Sequence, residues 1–414
     1  MHIRNTGHTI FCLLLAATFI LSSQVAGQET DLAEKTIKIV TVSEADIFFP
    51  GSIAANPESL SRFAFLIKKD EQYHVVVDGK TGPPYAGIAK GTPIINQSGS
   101  RYAYIAYKDG RARVVSDGKA QPWFNAIDNL MFSPDGKRLV YRAQKGNQQL
   151  LVEDGKPVKA FDGIKGLPVF SPDSRHLAFL GVEDKKVSVV LDGKAILSGY
   201  RNAREITFSP DSKHLAVAVM KKKKWHLAKN GKISKNGYRN IQSLTFDPNS
   251  KRFIYAAQSE NQLFFVENGK ETGHYRSLGE PLFSPDAKRL AFPAMLGKEQ
   301  WTVVLEGKKG PEFKKLASLK FSPDSSRFAY SAITKKDKGA VVFGNRTVRT
   351  YDSTGQVVFS PDSNHVAYRM RDGQKWHVVK NDNPGPAFDL VRLPVFSPDS
   401  KILAYPAAKS GKMH

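Results

Sequence analysis

The sequence predicts an all-β fold: a β-propeller of four-stranded antiparallel blades, about ten repeats of 37–38 residues, with the ring closed by an N-terminal strand pairing with the C-terminal blade. Three observations predict it. A tetrapeptide Phe-Ser-Pro-Asp, or a near copy, begins at Phe132, Phe170, Phe208, Phe246, Phe283, Phe321, Phe359 and Phe396, at intervals of 37 or 38 residues, with decayed copies at Ile95-Asn96-Gln97-Ser98 and Ala55-Asn56-Pro57-Glu58. A hairpin dipeptide recurs in the same register. Between these signals lie short runs that are apolar on both faces. A fixed period of this length means that each unit buries its apolar faces only against its neighbours.

The chain opens with a secretory signal over residues 1–27: a short start carrying Arg4, an apolar run Ile10 to Leu21, and the small-residue exit Val25-Ala26-Gly27, where cleavage is expected. The run is too short for a spanning helix, which needs roughly 20 apolar residues. The single cysteine, Cys12, lies inside that run and not at its exit. Lipoprotein anchoring through it is therefore not expected, and disulfides do not stabilise the mature protein. Residues 28–43 form an N-terminal segment holding the closing strand, and 44–414 read as one propeller domain, because no linker, composition shift or low-complexity stretch interrupts the repeat. No transmembrane segment is expected in the mature chain, and a monomer is expected.

One repeat illustrates the rest. Leu167-Pro168-Val169-Phe170 is a short extended run that Ser171-Pro172-Asp173-Ser174 reverses, since proline presets the turn and Asp bonds its own backbone two residues on. His176 to Leu180 follows as a second strand. The polar stretch Glu183-Asp184-Lys185-Lys186 leads to a third, Val187 to Leu191. Asp192-Gly193 supplies the positive φ angles of a tight hairpin, and Ala195-Ile196-Leu197 returns toward Tyr200. The same hairpin signal stands at Asp78-Gly79, Asp117-Gly118, Asp154-Gly155, Asn230-Gly231 and Asn268-Gly269, with degraded forms at Glu306-Gly307, Gly344-Asn345 and Asn381-Asp382.

An aromatic follows each hairpin by seven or eight residues: Tyr85, Phe124, Phe161, Tyr200, Tyr238, Tyr275, Phe313, Tyr351 and Phe388. It never skips a repeat, which suits blade-to-blade packing better than a ladder for ligands. Second strands carry a large–small–aromatic order, as in Leu139-Val140-Tyr141 and Leu177-Ala178-Phe179, so a bulky face can sit on a small one.

The chain ends soon after the tenth tetrapeptide, which leaves Ile402 to Ala407 as that unit's second strand. Thr36 to Val42 is a good strand ahead of the first unit and is expected to seal the ring. Nine blades with a loose end, or two smaller rings, are the alternatives.

Strings such as Phe132-Ser-Pro-Asp-Gly-Lys-Arg-Leu-Val-Tyr141 and Phe283-Ser-Pro-Asp-Ala-Lys-Arg-Leu-Ala-Phe292 resemble the WD-like propeller repeat of bacterial TolB-type proteins, over about residues 44 to 407. The resemblance implies a β-propeller, a periplasmic or secreted bacterial setting, and protein–protein contact as the commonest use. TolB itself has six blades and a preceding α/β domain, and neither fits this chain. The Trp-Asp dipeptide of eukaryotic WD repeats is also missing.

Catalysis has no visible home. No Gly-x-Ser-x-Gly nucleophile elbow occurs. His176, His214 and His365 share one repeat position, as do His74, His226 and His377, and equivalent positions in different blades cannot share a metal. No metal, cofactor or catalytic residue is expected, and the turn aspartates, Asp135 and Asp173 among them, read as turn formers.

The formal charge of +22 favours anionic partners. Loops between second and third strands share one face with the links between repeats, and there units five to eight are unusually basic. The candidate anion- or partner-binding residues are Arg201, Arg204, Lys221, Lys222, Lys223, Lys224, Arg239, Arg276, Lys314, Lys315, Lys335 and Lys336. They do not recur in every copy, so the repeat itself does not need them. The function expected is an exported, non-catalytic binding or scaffolding module for a protein or anionic envelope polymer. The alternative is a lyase or hydrolase acting on a polysaccharide through the central channel, which would need inward carboxylates from several first strands. Those strands read as mainly apolar. Export argues against nucleic acid.

Overall fold

A computed structural model describes residues 46–56, 62–344, 346–409 and 412–413. The signal segment and the closing strand Thr36–Val42 lie outside the described residues, as does part of the first tetrapeptide copy. Every helix or strand among the described residues is a β-strand. The fold class is all-β, of β-propeller type, and it divides into two compact units: residues 1–185 with 190–195, and residues 186–189 with 196–414.

In the first unit, Ile47–Ala55, Phe63–Lys69, Gln72–Val77 and Lys80–Thr81 form one sheet in chain order, and Ala126–Phe132, Leu139–Lys145, Gln148–Glu153 and Lys156–Phe161 form another. Between them the first strand of the sheet is split into Gly87–Ile88 and Ile94–Ile95, both paired with Tyr102–Lys108. The second unit repeats the plan, for example Asn202–Phe208, Leu215–Lys221, Lys224–Lys229 and Lys232–Ile233. Neighbours in each meander are antiparallel.

The local chemistry explains the turns. At the seven Asp-Gly, Asn-Gly and Glu-Gly hairpins the first residue has φ of 44–52° and the glycine 75–81°, the paired positive angles of a type I′ turn. Asp and Asn hold the first place because they do a second job: the Oδ1 of Asp117, Asp192 and Asn230 accepts the backbone N–H of Tyr102, Leu177 and Leu215 at 2.8–2.9 Å. In the Ser-Pro-Asp turn, Ser133 Oγ donates to Asp135 at 2.6 Å and accepts the N–H of Arg138 at 3.0 Å, while Asp135 also accepts the N–H of Lys137.

The returning aromatics pack as expected. Tyr85 meets Tyr104, Phe124 meets Tyr141, Phe161 meets Phe179, Tyr275 meets Phe292 and Phe313 meets Tyr330 edge to face, with ring centroids 5.6–6.2 Å apart. Each therefore seats on the second-strand aromatic of the following repeat, a contact worth about 1 kcal/mol beyond area burial. Leu139, Val140 and Tyr141 are all fully buried, so both faces of that second strand are covered.

Two expectations need correction. The strand expected from Ile402 to Ala407 is broken: Leu403–Ala404 pairs with Val395–Phe396, while Ala407–Lys409 pairs with Leu390–Val391 and Lys412–Met413. Pro406 sits at the break, where its missing N–H removes a ladder bond. First strands, read as three- or four-residue runs, instead begin up to four residues earlier and carry a bulge, as between Arg204 and Thr207. The bulge puts Asn129, Glu205, Ser243 and Ser318 at φ of 54–55°, and this local irregularity hides the strand's first half from a period-two reading.

Candidate binding face

All twelve cations of the candidate face belong to the second unit. The hairpin between Leu215–Lys221 and Lys224–Lys229 is in register at Lys221 opposite Lys224. Lys222 and Lys223 are thus a two-residue turn with φ of 47° and 64°. Lysine carries a Cβ into the left-handed region that Asn-Gly occupies more easily, so this turn holds charge at some cost in backbone strain. All four lysines are exposed.

A second row runs through the links between repeats. The residue directly after the linking aromatic bonds its backbone N–H to the next repeat's second strand, as Arg239 does to Gln258, Arg276 to Met295 and Lys314 to Ile333, at 2.8–2.9 Å. Elsewhere that position belongs to Ala86, Asn125, Asp162, Asp352 and Asp389. Three of these side chains cap the next hairpin between second and third strands: Asn125 accepts the N–H of Gly146, Asp162 that of Asp184 and Asp352 that of Gly373, at 2.7–2.9 Å. A cation cannot accept that bond. Arg201, Arg239, Arg276 and Lys314 stand consecutively where an acceptor would serve the fold better.

The twelve are not equivalent. Arg204 is withdrawn from the face: its guanidinium lies 4.1 Å over the Trp225 ring, donates to the Ile241 carbonyl at 2.8 Å and also bonds Asn240 Oδ1. Arg142 and Arg369 make the same reach to the Ile164 and Val391 carbonyls, so Arg204 serves packing between repeats. Lys314 pairs with Asp337 at 2.7 Å and Lys335 with Glu312 at 2.9 Å. Among the described residues no carboxylate lies within 4 Å of the other nine. Arg239 reaches only the carbonyl of Glu260, at 3.4 Å.

The histidines have structural work. His214 and His365 stack on Phe246 and Phe396 of the following repeat, with centroids 6.2–6.3 Å apart, and His176 meets Asp192 at 2.7 Å. Where the position is arginine, Arg138 lies 5.0 Å over Phe170 and donates to the carbonyls of Ser174 and Arg175 at 2.8 and 3.0 Å. It is a clamp between repeats. His74, His226 and His377 bond the carbonyls of Gly82, Ser234 and Gly385 at 2.8–3.1 Å. No group of three potential metal-binding side chains occurs among the described residues.

Sequence reading missed two features. The serine that follows most tetrapeptides, as at Ser174, Ser250, Ser325, Ser363 and Ser400, accepts the N–H of the preceding repeat's turn aspartate at 2.9 Å. Its recurrence was the available signal. Carboxylates also gather beside the bulged first strands: Ser243 Oγ donates to Glu280 at 3.1 Å, and the amides of Ser243 and Leu244 face the Glu205 carboxylate. Burial raises the pKa of Glu205, opposed by Arg204 and those amides.

No family model and no curated protein matches the chain. Among solved structures, it is similar to a eukaryotic initiation factor at 13% identity and a TM-score of 0.43, covering 79% of this chain and 96% of that one. It is similar to the Dos1 propeller at 14% and 0.35, covering 78% and 92%, and to TolB from Acinetobacter baumannii at 13% and 0.28, covering 79% and 80%. The fold class is carried by the chain's own sheets. No helix among the described residues is long and apolar enough to cross a membrane.

Proposed function

We propose that the protein is an exported, non-catalytic binding module whose basic face holds an anionic partner, an envelope polymer or an acidic protein surface. The observation that carries this reading is the run of cations at Arg201, Arg239, Arg276 and Lys314, where three other repeats place an acceptor that caps a hairpin. A fold-driven choice would keep the acceptor, so the cations answer to something outside the fold. Lys222 and Lys223 add charge at a turn that Asn-Gly would fit better. The signal-like residues 1–27 support export, and export sets nucleic acid aside.

The test uses Lys222→Asn/Lys223→Gly, which removes two charges and supplies the residues a type I′ turn prefers. Binding of poly-L-glutamate and of polygalacturonate to the exported chain is measured by calorimetry between low and high salt. Weaker binding with a shallower salt dependence supports the face; unchanged affinity and slope refute it.

One observation favours the enzymatic reading. Glu205, on a first strand, and Glu280, in the gap between Ser277–Leu278 and Leu282–Phe283, flank Ser243, and Glu205 has a raised pKa, a pattern general acid chemistry uses. Glu205→Gln and Glu280→Gln would each abolish any depolymerising activity on an acidic polysaccharide. A wild-type chain that releases no reducing or unsaturated ends from such polymers removes this reading.

A further inference from the structure

Repetition makes one local omission in the first unit visible. At the interface after Lys119–Ala120, Gln121 projects beneath the hairpin glycine of the next repeat, Gly155, and its Oε1 accepts the Tyr141 hydroxyl at 2.7 Å. One repeat earlier the equivalent residues are Gly82, Gly118 and Tyr104. The backbone is the same at both places, since Gly82 N–H bonds Val75 O at 2.9 Å as Gln121 N–H bonds Val114 O at 2.8 Å. With no side chain at position 82, a cavity of about 330 Å³ opens, lined by Arg62, Tyr102, Tyr104, Thr81 and Pro83 among others. A Cβ at position 82 would lie 3.5 Å from the Tyr104 hydroxyl, which places the void where the Gln121 side chain sits one repeat on.

The Tyr104 residue is buried (2% exposed), and its phenol, on the cavity wall, has no hydrogen-bond partner among the described residues. Burial holds it well above the usual phenol range, so it is a donor at every physiological pH. The rim is polar: Arg62 Nε pairs with Asp78 at 3.0 Å beside Thr81 and Lys80. The volume lies in the range of small-molecule sites and exceeds what one amide side chain fills.

We propose that this cavity binds an N-acetylated amino sugar. The acetamido carbonyl accepts the Tyr104 hydroxyl as the Gln121 amide accepts that of Tyr141. The methyl packs where the Gln121 methylenes would lie, the ring rests against Tyr102 and Pro83, and its hydroxyls meet the Arg62–Asp78 pair. An unpaired donor opening onto the cavity, a template for its acceptor one repeat away and a polar rim together define the ligand's chemistry.

Saturation-transfer NMR and calorimetry on the exported chain, with N-acetylglucosamine, glucose and N-acetyl-glutamine amide as probes, test it. N-acetylglucosamine is expected to bind and glucose, lacking the acetamido group, to bind at least about tenfold more weakly. Tyr104→Phe keeps the ring and removes the donor, and should weaken N-acetylglucosamine about tenfold. Gly82→Gln should occupy the acetamido position beside Tyr104 and abolish binding; because its Cβ would meet Val75 O at 2.9 Å, Tyr104→Phe is the deciding variant. Gln121→Gly should add a second site. No binding of N-acetylglucosamine at millimolar concentration, equal binding of glucose, or affinity unchanged in Tyr104→Phe overturns the proposal. Binding of the glutamine probe in place of the sugar overturns the assignment to a sugar.

Discussion

Replacing Arg201 and Arg239 together by Asn separates charge from fold, because the two effects have opposite signs. Asn125 shows what the new side chains would do: its Oδ1 accepts the N–H of Gly146 at 2.8 Å and closes the neighbouring hairpin. The hairpins facing Arg201 and Arg239 turn at Lys222-Lys223 and Glu260-Asn261, both two-residue turns in clean register. Each restored cap is worth about 1 kcal/mol, so about 2 kcal/mol in all. The loss to set against it is one long bond, Arg239 to the Glu260 carbonyl at 3.4 Å. For a body of this size about 2 kcal/mol raises Tm by about 4–8 °C. Each cation removed from a face opposite an anionic surface costs about 1 kcal/mol or less, so affinity for polyglutamate should fall by about fivefold to thirtyfold. The loss should vanish near 1 M salt, where the screening length shrinks from about 8 Å to about 3 Å. Differential scanning calorimetry and titration calorimetry on the same samples read both numbers. A fall in Tm would show these arginines to be structural. A rise in Tm with unchanged affinity would remove their binding role.

Other outcomes follow from the contacts between repeats. Ser363→Ala removes the acceptor for the Asp324 N–H at 2.9 Å and should cost about 1 kcal/mol in urea unfolding, with an unchanged slope. Gly181→Ala should be far worse, because a Cβ there would lie 2.3–2.6 Å from the Phe161 ring, which is buried against Phe179; about 2–3 kcal/mol is expected, and far-ultraviolet circular dichroism during thermal melts reads it. Acid should loosen the turns: the Ser360 hydroxyl and the Asn364 N–H hold the Asp362 carboxyl down at about 2, and Asp135, Asp211, Asp286, Asp324 and Asp399 are lowered by the same arrangement. Since the folded pKa lies below the unfolded one, this stability is complete above the ordinary carboxylate range near 4 and is lost as pH falls toward about 2. The gap in urea midpoint between wild type and Asp362→Asn should therefore close across that window; a constant gap would show that the carboxylate charge is not what holds the turn.

Much of the fold was legible because its instructions are local. Ser-Pro-Asp turns, Asp-Gly hairpins and the aromatic that returns after them act within a few residues, and among the described residues the structure places them where the spacing put them. The bulges were not legible. Glu205 and Ser243 look like ordinary strand residues, and only pairing to the next strand reveals two residues opposite fewer partners. The basic face was half legible: the cations are plain in the sequence, but Arg204 looked like its neighbours until Trp225 and the Ile241 carbonyl were seen to hold it.

By itself the sequence determined the repeat period and the strand order within a repeat, because period and turn chemistry are read along the chain. Tertiary structure decided which polar groups are already spent. Ser174 reaching Asp135, Arg138 reaching Ser174 and Gln121 reaching Tyr141 all join residues 20 to 39 positions apart. Such bonds are set by how one sheet lies on the next, and that geometry leaves no mark in local propensity; it alone shows that Tyr104, with glycine where its neighbour has glutamine, was left without an acceptor.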